Sequence, residues 1–269
     1  MRRIVFALVA MLAGVVCGNG MAAGELSLEQ AVAAAHRSDA SRARDAQRHP
    51  VETLEFFGLT PAMTVVEILP GEGWYTEILA PYLAAKGKLA VTSHGTEGAN
   101  EYRRKSHEAL MAKLDAAPAL YGAVERRVMW QGDGVVLGPP GSADMVVTFR
   151  NTHNWINDGK FEAVYKACFD VLKSGGVLGI EQHRAPADAD PAQSAAKGYV
   201  PEAYLIGILE GLGFKLAGKS EINANPRDTK DYPDGVWTLP PVLRMGDVDR
   251  ERYVAIGESD RFTHRYVRV

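Results

Sequence analysis

Cysteine is nearly absent from this sequence, which excludes a fold held together by internal disulfides. The chain has 269 residues and two cysteines, and Cys17 lies in a leader that we expect to be cleaved. Cys168 is then the one cysteine of the mature protein, so no internal disulfide can form even in the oxidising compartment that the leader predicts.

The sequence also lacks an excess of positive charge. Its net charge is −3, and loss of a leader that carries Arg2, Arg3 and no acid takes it to −5. Domains that bind nucleic acids usually present a basic face. We therefore expect no nucleic-acid partner, and we interpret local clusters such as Arg103-Arg104-Lys105 as solvated surface.

No apolar run is long enough to span a bilayer comfortably. The longest candidate, Ile4 to Val16, follows the basic pair Arg2-Arg3 and precedes the small residues Gly20 to Ala23. This order predicts a cleaved signal peptide over residues 1–23. The mature protein is then exported, periplasmic or secreted, with no stable membrane insertion.

Several ligand-binding motifs are missing. The chain has no G-x-x-x-x-G-K-[ST] loop, no H-E-x-x-H and no Cys pair, so a P-loop is excluded and no metal site is expected. Gly71 and Gly73 are followed by Tyr75, Thr76 and Glu77, so the third glycine of the dinucleotide fingerprint is absent as well. That absence weakens the case for a dinucleotide-dependent dehydrogenase.

What the sequence does contain is a strand, a glycine loop and a helix between Met63 and Pro81. The apolar run Val65–Leu69 predicts a buried parallel strand, Pro70–Gly73 a tight turn, and the residues from Trp74 onward a helix. Glycine lets the backbone approach a ligand, and the N–H groups of the new helix point at it. A tight turn without a ligand is the alternative.

The rest of the chain alternates strands with helices, which predicts an α/β fold with a mostly parallel sheet covered on both faces. A final helix, strand, loop and strand suit an antiparallel ending. Predicted strands after the first lie at 89–92, 124–130, 143–149, 177–181, 214–222 and 261–269, with one long loop at 223–259. We divide the mature chain into an N-terminal helical segment, 24–49, and a domain, 50–269.

Four stretches carry a resemblance to a known family: R-x-x-D-x-x-R-H-P from Arg42, E-x-x-P-G-x-G-W-Y-T-E-I-L-A-P from Glu67, F-R-N-T-H-N-W from Phe149 and L-K-S-G-G-V-L-G-I-E-Q-H-R from Leu172. They resemble class I S-adenosylmethionine-dependent methyltransferases, and more narrowly a group of secreted bacterial predicted methyltransferases. The resemblance implies a Rossmann-like methyltransferase sheet with an antiparallel last strand, and S-adenosylmethionine (SAM) as cofactor.

The resemblance also implies cofactor-binding residues. These are Glu67, Pro70, Gly71, Gly73 and Tyr75 around the first loop, Ser93 at the end of the second strand, and Asp133 after the third. A carboxylate would suit the ribose hydroxyls at the second strand, because it can accept two hydrogen bonds. This strand instead ends Thr92-Ser93-His94. Asp133 either approaches the adenine amino group or forms an ordinary Asp-Gly turn.

Catalytic candidates follow the fourth predicted strand, in the stretch from Phe149 to Trp155. Arg150 could clamp an anionic substrate and His153 could take a proton, with Asn151 between them. Alternatively, the Asn side chains satisfy the backbone of the loop. His183, at the end of the fifth strand, is either a second acid/base candidate or a rim residue.

These observations predict SAM-dependent methyl transfer to a small-molecule acceptor that the sequence does not identify. The alternative is an exported fold of the same type that has lost catalysis and binds another small ligand. The segment with Arg42, Asp45, Arg48 and His49 either covers the cofactor pocket as a lid or pairs Asp45 with Arg42 or Arg48 on the surface.

Overall fold

The computed structural model describes residues 25–132 and 134–269. The predicted signal peptide and Asp133 lie outside the described residues. Within the described ranges, no helix combines the length and the apolar composition needed to cross a membrane.

Residues 25–132 and 134–269 contain nine strands. They are β1 (Thr64–Ile68), β2 (Lys88–Ser93), β3 (Glu125–Val128), β4 (Trp130–Gln131), β5 (Gly134–Val135), β6 (Ala143–Phe149), β7 (Leu172–His183), β8 (Phe214–Ser220) and β9 (Arg261–Arg268). Strands β4 and β5 form a small separate hairpin, and the other seven make one sheet.

The main sheet has the order β3-β2-β1-β6-β7-β9-β8. Strands β1, β2, β3, β6 and β7 pair in parallel, whereas β9 is antiparallel to both β7 and β8. The predicted fold class, with its antiparallel last strand, is confirmed. The chain runs outward from β1 to β3 and then returns to β6 on the other side of β1. The carboxyl ends of β1 and β6 therefore flank a topological switch point, where open α/β sheets bind ligands.

In the described part of the chain, twelve α-helices surround the sheet. They are α1 (Leu28–Val32), α2 (Asp39–Arg42), α3 (Asp45–Arg48), α4 (Pro50–Phe57), α5 (Thr76–Leu83), α6 (Glu101–Ala116), α7 (Pro118–Tyr121), α8 (Thr152–Asn157), α9 (Phe161–Val171), α10 (Pro191–Ala196), α11 (Glu202–Gly211) and α12 (Arg250–Ile256).

Side chains of the central strands alternate between two hydrophobic cores. On β1, Val65 belongs to the core beneath α1, α4, α5 and α6, whereas Val66 belongs to the core beneath α8, α9 and α11. On β6, Val147 and Val146 divide in the same way. Both faces of the parallel sheet are thus covered, which explains why these strands read as continuous apolar runs.

Helix boundaries follow the local chemistry of the sequence. Ser27 and Gln30 form the predicted capping box at the start of α1. Pro50 occupies the first turn of α4, and Gly58 ends that helix with φ of 81°, a left-handed conformation that favours glycine.

The prediction of one continuous loop over residues 223–259 was wrong. That segment contains a 3-10 helix, Gly235–Thr238, and the helix α12. The apolar residues Val236, Leu239 and Tyr253 are buried by these turns. The Pro and Asp residues of this segment predicted a loop, but they lie around short helical turns instead.

Gly179 of β7 tests how closely α4 is held to the sheet. A Cβ atom there would lie 2.6 Å from the buried ring of Phe57, so Gly179→Ala should destabilise the protein by about 1–3 kcal/mol through overpacking. Gly207 of α11 is exposed and a Cβ there meets nothing within 4 Å, so Gly207→Ala should instead stabilise by about 0.5–1 kcal/mol. Urea denaturation measures both, and equal effects would contradict the packing described.

Candidate functional site

In the glycine loop after β1, every second residue has a positive φ. Leu69, Gly71 and Gly73 have φ of 46°, 62° and 80°. Leu69 is not glycine, so it is held in a conformation that costs about 1–3 kcal/mol and that clusters at ligand-binding sites. Arg150, the first residue after β6, is also left-handed, with φ of 62°. The two unusual conformations therefore flank the switch point from both strands.

A cavity of about 460 Å³ opens at this switch point. This volume is within the range of small-molecule sites. Its lining comes from β1 and the loop after it, Tyr102 of α6, the carboxyl ends of β6 and β7 with the start of α8, the N-terminal segment through Arg48, and the segment 236–259. The cavity is thus assembled from residues that are distant in sequence.

Glu67 is a buried carboxyl group in the cavity wall. The Thr76 hydroxyl donates to its Oε2 over 2.6 Å. Burial raises the pKa of Glu67 to about 7, although Thr76, Lys113 and Arg150 oppose this change. The group can therefore be neutral or charged near neutral pH, according to what binds beside it.

Glu181, at the carboxyl end of β7, is the centre of a buried ion cluster. Arg150 Nη1 donates to Glu181 Oε1 over 2.8 Å and Arg261 Nη1 donates to the same oxygen over 3.0 Å. Burial alone would raise the pKa of Glu181, but Arg150, Arg261 and Arg48 outweigh it and lower the pKa. The carboxylate is therefore charged and fully buried between arginines.

Glu258 extends this cluster to the N-terminal segment. Arg48 Nε donates to Glu258 Oε2 over 3.1 Å, and Arg44 Nε donates to Oε1 over 2.8 Å. Arg261 Nη1 bridges to Glu258 Oε2 over 3.1 Å. Burial opposes the charge of Glu258, but Arg48, Arg261 and Arg44 lower its pKa to about 2. The cluster thereby ties α3, β7 and the start of β9 around the cavity.

The predicted surface pairing of Asp45 with Arg42 or Arg48 was wrong. Asp45 binds Arg37 with an N–O distance of 2.8 Å, whereas Arg42 pairs with Asp39. The reason is that Arg48 turns inward, where Glu258 is its partner and its side chain is only 4% exposed.

Trp74 is a wall of the cavity rather than a core residue. It lies between two guanidinium groups, with Arg37 at 5.0 Å and Arg48 at 4.7 Å from its ring centroid. Its Nε1 donates to Ser41 O over 3.1 Å. The N-terminal segment is therefore anchored on the helix that follows the glycine loop.

Asn151 has a bridging position between β6 and β1. Its Nδ2 donates to Ile68 O over 3.0 Å and to Thr148 Oγ1 over 3.1 Å. The side chain thus satisfies backbone and hydroxyl groups at the ends of both strands, as the alternative interpretation of this loop predicted. Asn151 therefore stabilises the start of the glycine loop after β1, and it also lines the cavity.

His153 is held as a neutral hydrogen-bond donor. Gln182 Oε1 accepts from Thr152 N over 3.1 Å, so its amide nitrogen faces Gly198 O at 3.1 Å and His153 Nδ1 at 3.2 Å. Nδ1 therefore accepts, and the ring proton is on Nε2. Burial is the main cause and the charge of Arg150 a further one for a His153 pKa lowered to about 4. With this tautomer, Nε2 can donate but cannot take a proton.

His183 lies beside His153, with 5.7 Å between the ring centroids. Its Nδ1 is 2.5 Å from Ser259 Oγ, and both side chains line the cavity. Burial and the neighbouring His153 keep the pKa of His183 well below its usual value. Both histidines are therefore neutral near pH 7.

A second cavity of about 310 Å³ lies at the ends of β2 and β4. His94 stacks on Trp130 there, with ring centroids 6.3 Å apart and planes at 14°. Glu97 also lines it. Consecutive residues of α6, Tyr102 and Arg103, line the first and second cavities, so the two are neighbours along the same edge of the sheet.

The other predicted cofactor residues divide between the cavities and the interior. Pro70 and Gly71 line the first cavity. Gly73 instead packs against α6, where a Cβ would lie 3.3 Å from Leu110. Tyr75 lines the cavity but stacks on Phe149 at 3.6 Å, which buries its ring. Ser93 is buried and donates to Arg127 O over 3.3 Å.

Several residues of the site were not identified from the sequence. The segment 236–259 supplies Val236, Trp237, Pro240, Pro241, Val242, Arg244, Glu258 and Ser259 to the cavity. Trp237 was the one available signal, because a lone tryptophan in a polar segment suggests a binding wall. Nothing in the local pattern marks Glu258 as the partner of arginines more than 200 residues away. Among the described residues, no three His, Cys, Asp or Glu side chains form a metal-binding group.

Comparison with known proteins identifies the fold. No protein-family model matches the sequence, and no curated protein matches it significantly. Among solved structures, a SAM-dependent methyltransferase from Aquifex aeolicus superimposes with a TM-score of 0.56 at 16% identity, covering 91% of this chain and all of that one. The [4+2]-cyclase SpnF gives 0.57 at 14% identity, covering 90% and 91%.

A third similar structure is geranyl diphosphate C-methyltransferase from Streptomyces coelicolor, with a TM-score of 0.52 at 12% identity, covering 89% of this chain and 87% of that one. At these identities the likeness establishes a Rossmann-like methyltransferase fold for this chain. One of these similar structures is a cyclase by name, so the fold is not limited to proteins named as methyltransferases.

Glu67 makes a testable contribution to stability. Its folded pKa of about 7 exceeds the usual glutamate pKa of 4.5, so the folded state binds more protons and loses stability as pH rises between these values. Glu67→Gln should therefore stabilise the protein by about 3 kcal/mol above pH 7, and not at all below pH 4.5. Urea denaturation near pH 4 and near pH 8 measures this gain. Exposed Glu52→Gln is the control, and an unchanged stability of the Glu67 variant at pH 8 would contradict the burial argument.

The tautomer of His153 can be observed directly. Ring-nitrogen NMR shifts should show a neutral ring protonated on Nε2 from about pH 5 upward, because the pKa is lowered to about 4. Gln182→Leu removes the donor to Nδ1 and should mix the two tautomers. A ring that takes up a proton near pH 6.5 in the wild-type protein would refute this assignment.

Proposed function

We propose that this protein is a SAM-dependent methyltransferase acting on a small-molecule acceptor. The observation that carries the proposal is the cavity at the switch point between β1 and β6, opened by the left-handed glycine loop of a methyltransferase fold. Ligands of open α/β sheets bind at this place, where glycine permits close approach of the backbone.

The residues of the two cavities fit the chemistry of SAM. Gly71 lines the first cavity, and a Cβ there would project into open space, so the loop leaves room for a ligand against its backbone. Glu67 supplies a carboxyl group for the ammonium of the methionine end. Glu97 supplies acceptors for ribose hydroxyls, and the His94–Trp130 stack provides a flat surface for adenine. Glu97 would thus replace the carboxylate that the second strand lacks.

When bound, SAM would supply a methyl group, whose bond to sulfur would break as a bond forms from a lone pair of the acceptor, leaving S-adenosylhomocysteine. An acceptor atom that carries a proton would release it to solvent. This chain would contribute mainly by positioning the reactants and excluding water, because the rate of such transfers gains most from correct alignment. His153 would donate from Nε2 to the acceptor, and Arg150 would orient an anionic group. The earlier expectation that His153 is a base is replaced by a donor role, because Gln182 occupies its Nδ1.

We propose further that the protein works after export. The charged start, apolar run and small residues of 1–23 support a cleaved signal peptide and a periplasmic or secreted location. The sequence resemblance to secreted predicted methyltransferases agrees with this proposal. A test is mass spectrometry of the protein from a periplasmic extract, which should find a mature chain starting near residue 24.

A second candidate function is a non-catalytic member of the fold that holds a different small ligand. One observation favours it: Ser93, where a ribose-binding group was expected, is buried and already committed to Arg127 O. Such a protein would bind neither SAM nor S-adenosylhomocysteine.

Calorimetric titration of residues 24–269 with SAM and S-adenosylhomocysteine separates the two candidates. We expect micromolar binding of both, weakened by about tenfold or more in Gly71→Ala, because the new Cβ enters the ligand space. Gly141→Ala is the matched control, since Gly141 has φ of 63° against 62° for Gly71 and also has open space at Cβ.

Cooperative melting with no binding of either compound would reject the methyltransferase proposal. Equal weakening in the Gly71 and Gly141 variants would instead reject the placement of the ligand on the glycine loop.

A further inference from the structure

The ion cluster beside the cavity carries more positive charge than its carboxylates neutralise, and Arg48, Arg150 and Glu258 of this cluster line the cavity. Around Glu181 and Glu258 lie four guanidinium groups, from Arg44, Arg48, Arg150 and Arg261. Four cations against two anions leave two positive charges in excess. Such an excess is costly in a buried site unless a ligand supplies the missing anion.

The remaining charged groups of the wall do not remove this excess. Arg244 adds another cation, stacked on Trp237 with 4.7 Å to the ring centroid. Glu67, the other carboxyl group in the described lining, has a pKa raised to about 7. Arg48 reflects the imbalance, because burial and then the repulsion of Arg150 lower its pKa to about 9.

Arg150 and Arg48 each use only one guanidinium nitrogen in hydrogen bonds to the described residues. Arg150 uses only Nη1 on Glu181, and Arg48 uses only Nε on Glu258. Their other guanidinium nitrogens have no acceptor among residues 25–132 and 134–269, and they are absent from the fully buried unpaired atoms, so they reach the cavity. Elsewhere in the cluster, Arg44 Nη2 and Arg261 Nε are buried without an acceptor in the same ranges.

The cavity also has an apolar part in its lining. Trp237, Pro240 and Val242 line it, and Tyr102 faces the cavity from α6. Tyr102 is 74% exposed and Val242 is 52% exposed, so two large apolar side chains at the mouth remain uncovered. A ligand with both a charged end and an apolar body would satisfy both sides.

SAM does not supply the missing negative charge. It carries one carboxylate, one ammonium and one sulfonium group, so it adds a net positive charge to a cavity that already has an excess. If SAM is the cofactor, the second ligand must bring the compensating charge, because like charges in a low-dielectric site repel strongly.

We propose that the acceptor is a small organic anion, with a carboxylate or phosphate group held by Arg150 and Arg48 and an apolar body against Trp237 and Val242. The planar fork of an arginine matches the two oxygens of such a group. The identity of this anion as the acceptor rests on the proposed methyltransferase function, whereas its binding to the arginines does not.

The test compares two probes of the same shape that differ in charge. Calorimetric titration of the mature protein with benzoate and with benzamide should show benzoate binding about tenfold or more tightly. Inorganic phosphate should compete with benzoate, and added salt should weaken benzoate more than benzamide. Equal affinity for the two probes would overturn the proposal.

Arg150→Gln should lose most of the preference for benzoate, whereas Arg184→Gln should keep it. Arg184 is a matched control because its side chain is 22% exposed, against 18% for Arg150, and it pairs with Glu202 and Glu221 instead of facing the cavity. Arg150→Lys, which keeps the charge, should bind benzoate more weakly than the wild type but still prefer it over benzamide. An unchanged preference in Arg150→Gln would overturn the proposal, and if that variant fails to fold, the two probes on the wild type decide.

Separate titrations keep the two proposals apart. Benzoate selectivity without any binding of SAM or S-adenosylhomocysteine would leave the anion site standing and reject the methyltransferase. Binding of S-adenosylhomocysteine without benzoate selectivity would support the methyltransferase proposal and reject the anion site. If both stand, benzoate should bind more tightly beside SAM than beside S-adenosylhomocysteine, since the latter lacks the sulfonium charge.

Discussion

The pairing of Glu181 with Arg150 and Arg261 is the interaction on which the site depends. Glu181 is completely buried at the carboxyl end of β7, next to the strands that flank the switch point. A carboxylate in that position is tolerated only because two guanidinium groups and the Tyr75 hydroxyl, 3.4 Å away, surround it. Removing one member of such a buried group leaves an uncompensated charge, which costs about 3–5 kcal/mol.

Glu258 and Arg48 extend this buried ion cluster from Glu181 to the N-terminal segment. The segment before β1 would otherwise be a series of short helices with little core of its own. Its inward-facing Arg37 and Arg48 both lie over the Trp74 ring, and Arg48 and Trp74 line the cavity. Stability and site construction are therefore linked, because the charges that hold the segment in place also set the electrostatic potential of the cavity.

The fold could be predicted from the sequence because its signals are local. The apolar runs of β1 and β6, the capping box at Ser27 and the helix end at Gly58 each depend on residues a few positions apart. Sequence reasoning selected residues that line the cavity only in a strand or shortly after one, as for Glu67, Gly71, Arg150 and His153, and their roles stay predictions. The proton on His153 Nε2 depends on Gln182, and the charge balance depends on Glu258, so neither is visible in a local pattern. The partners of such side chains are brought together only by the tertiary fold.

The central claim is that this cavity transfers a methyl group to an anion. The most direct measurement is incorporation of label from methyl-labelled SAM into a panel of small carboxylates and phosphates, each paired with its neutral amide or alcohol. The account predicts labelled product from members of the anionic set, and less from their neutral partners. Labelling of neutral acceptors in preference to anionic ones would contradict it.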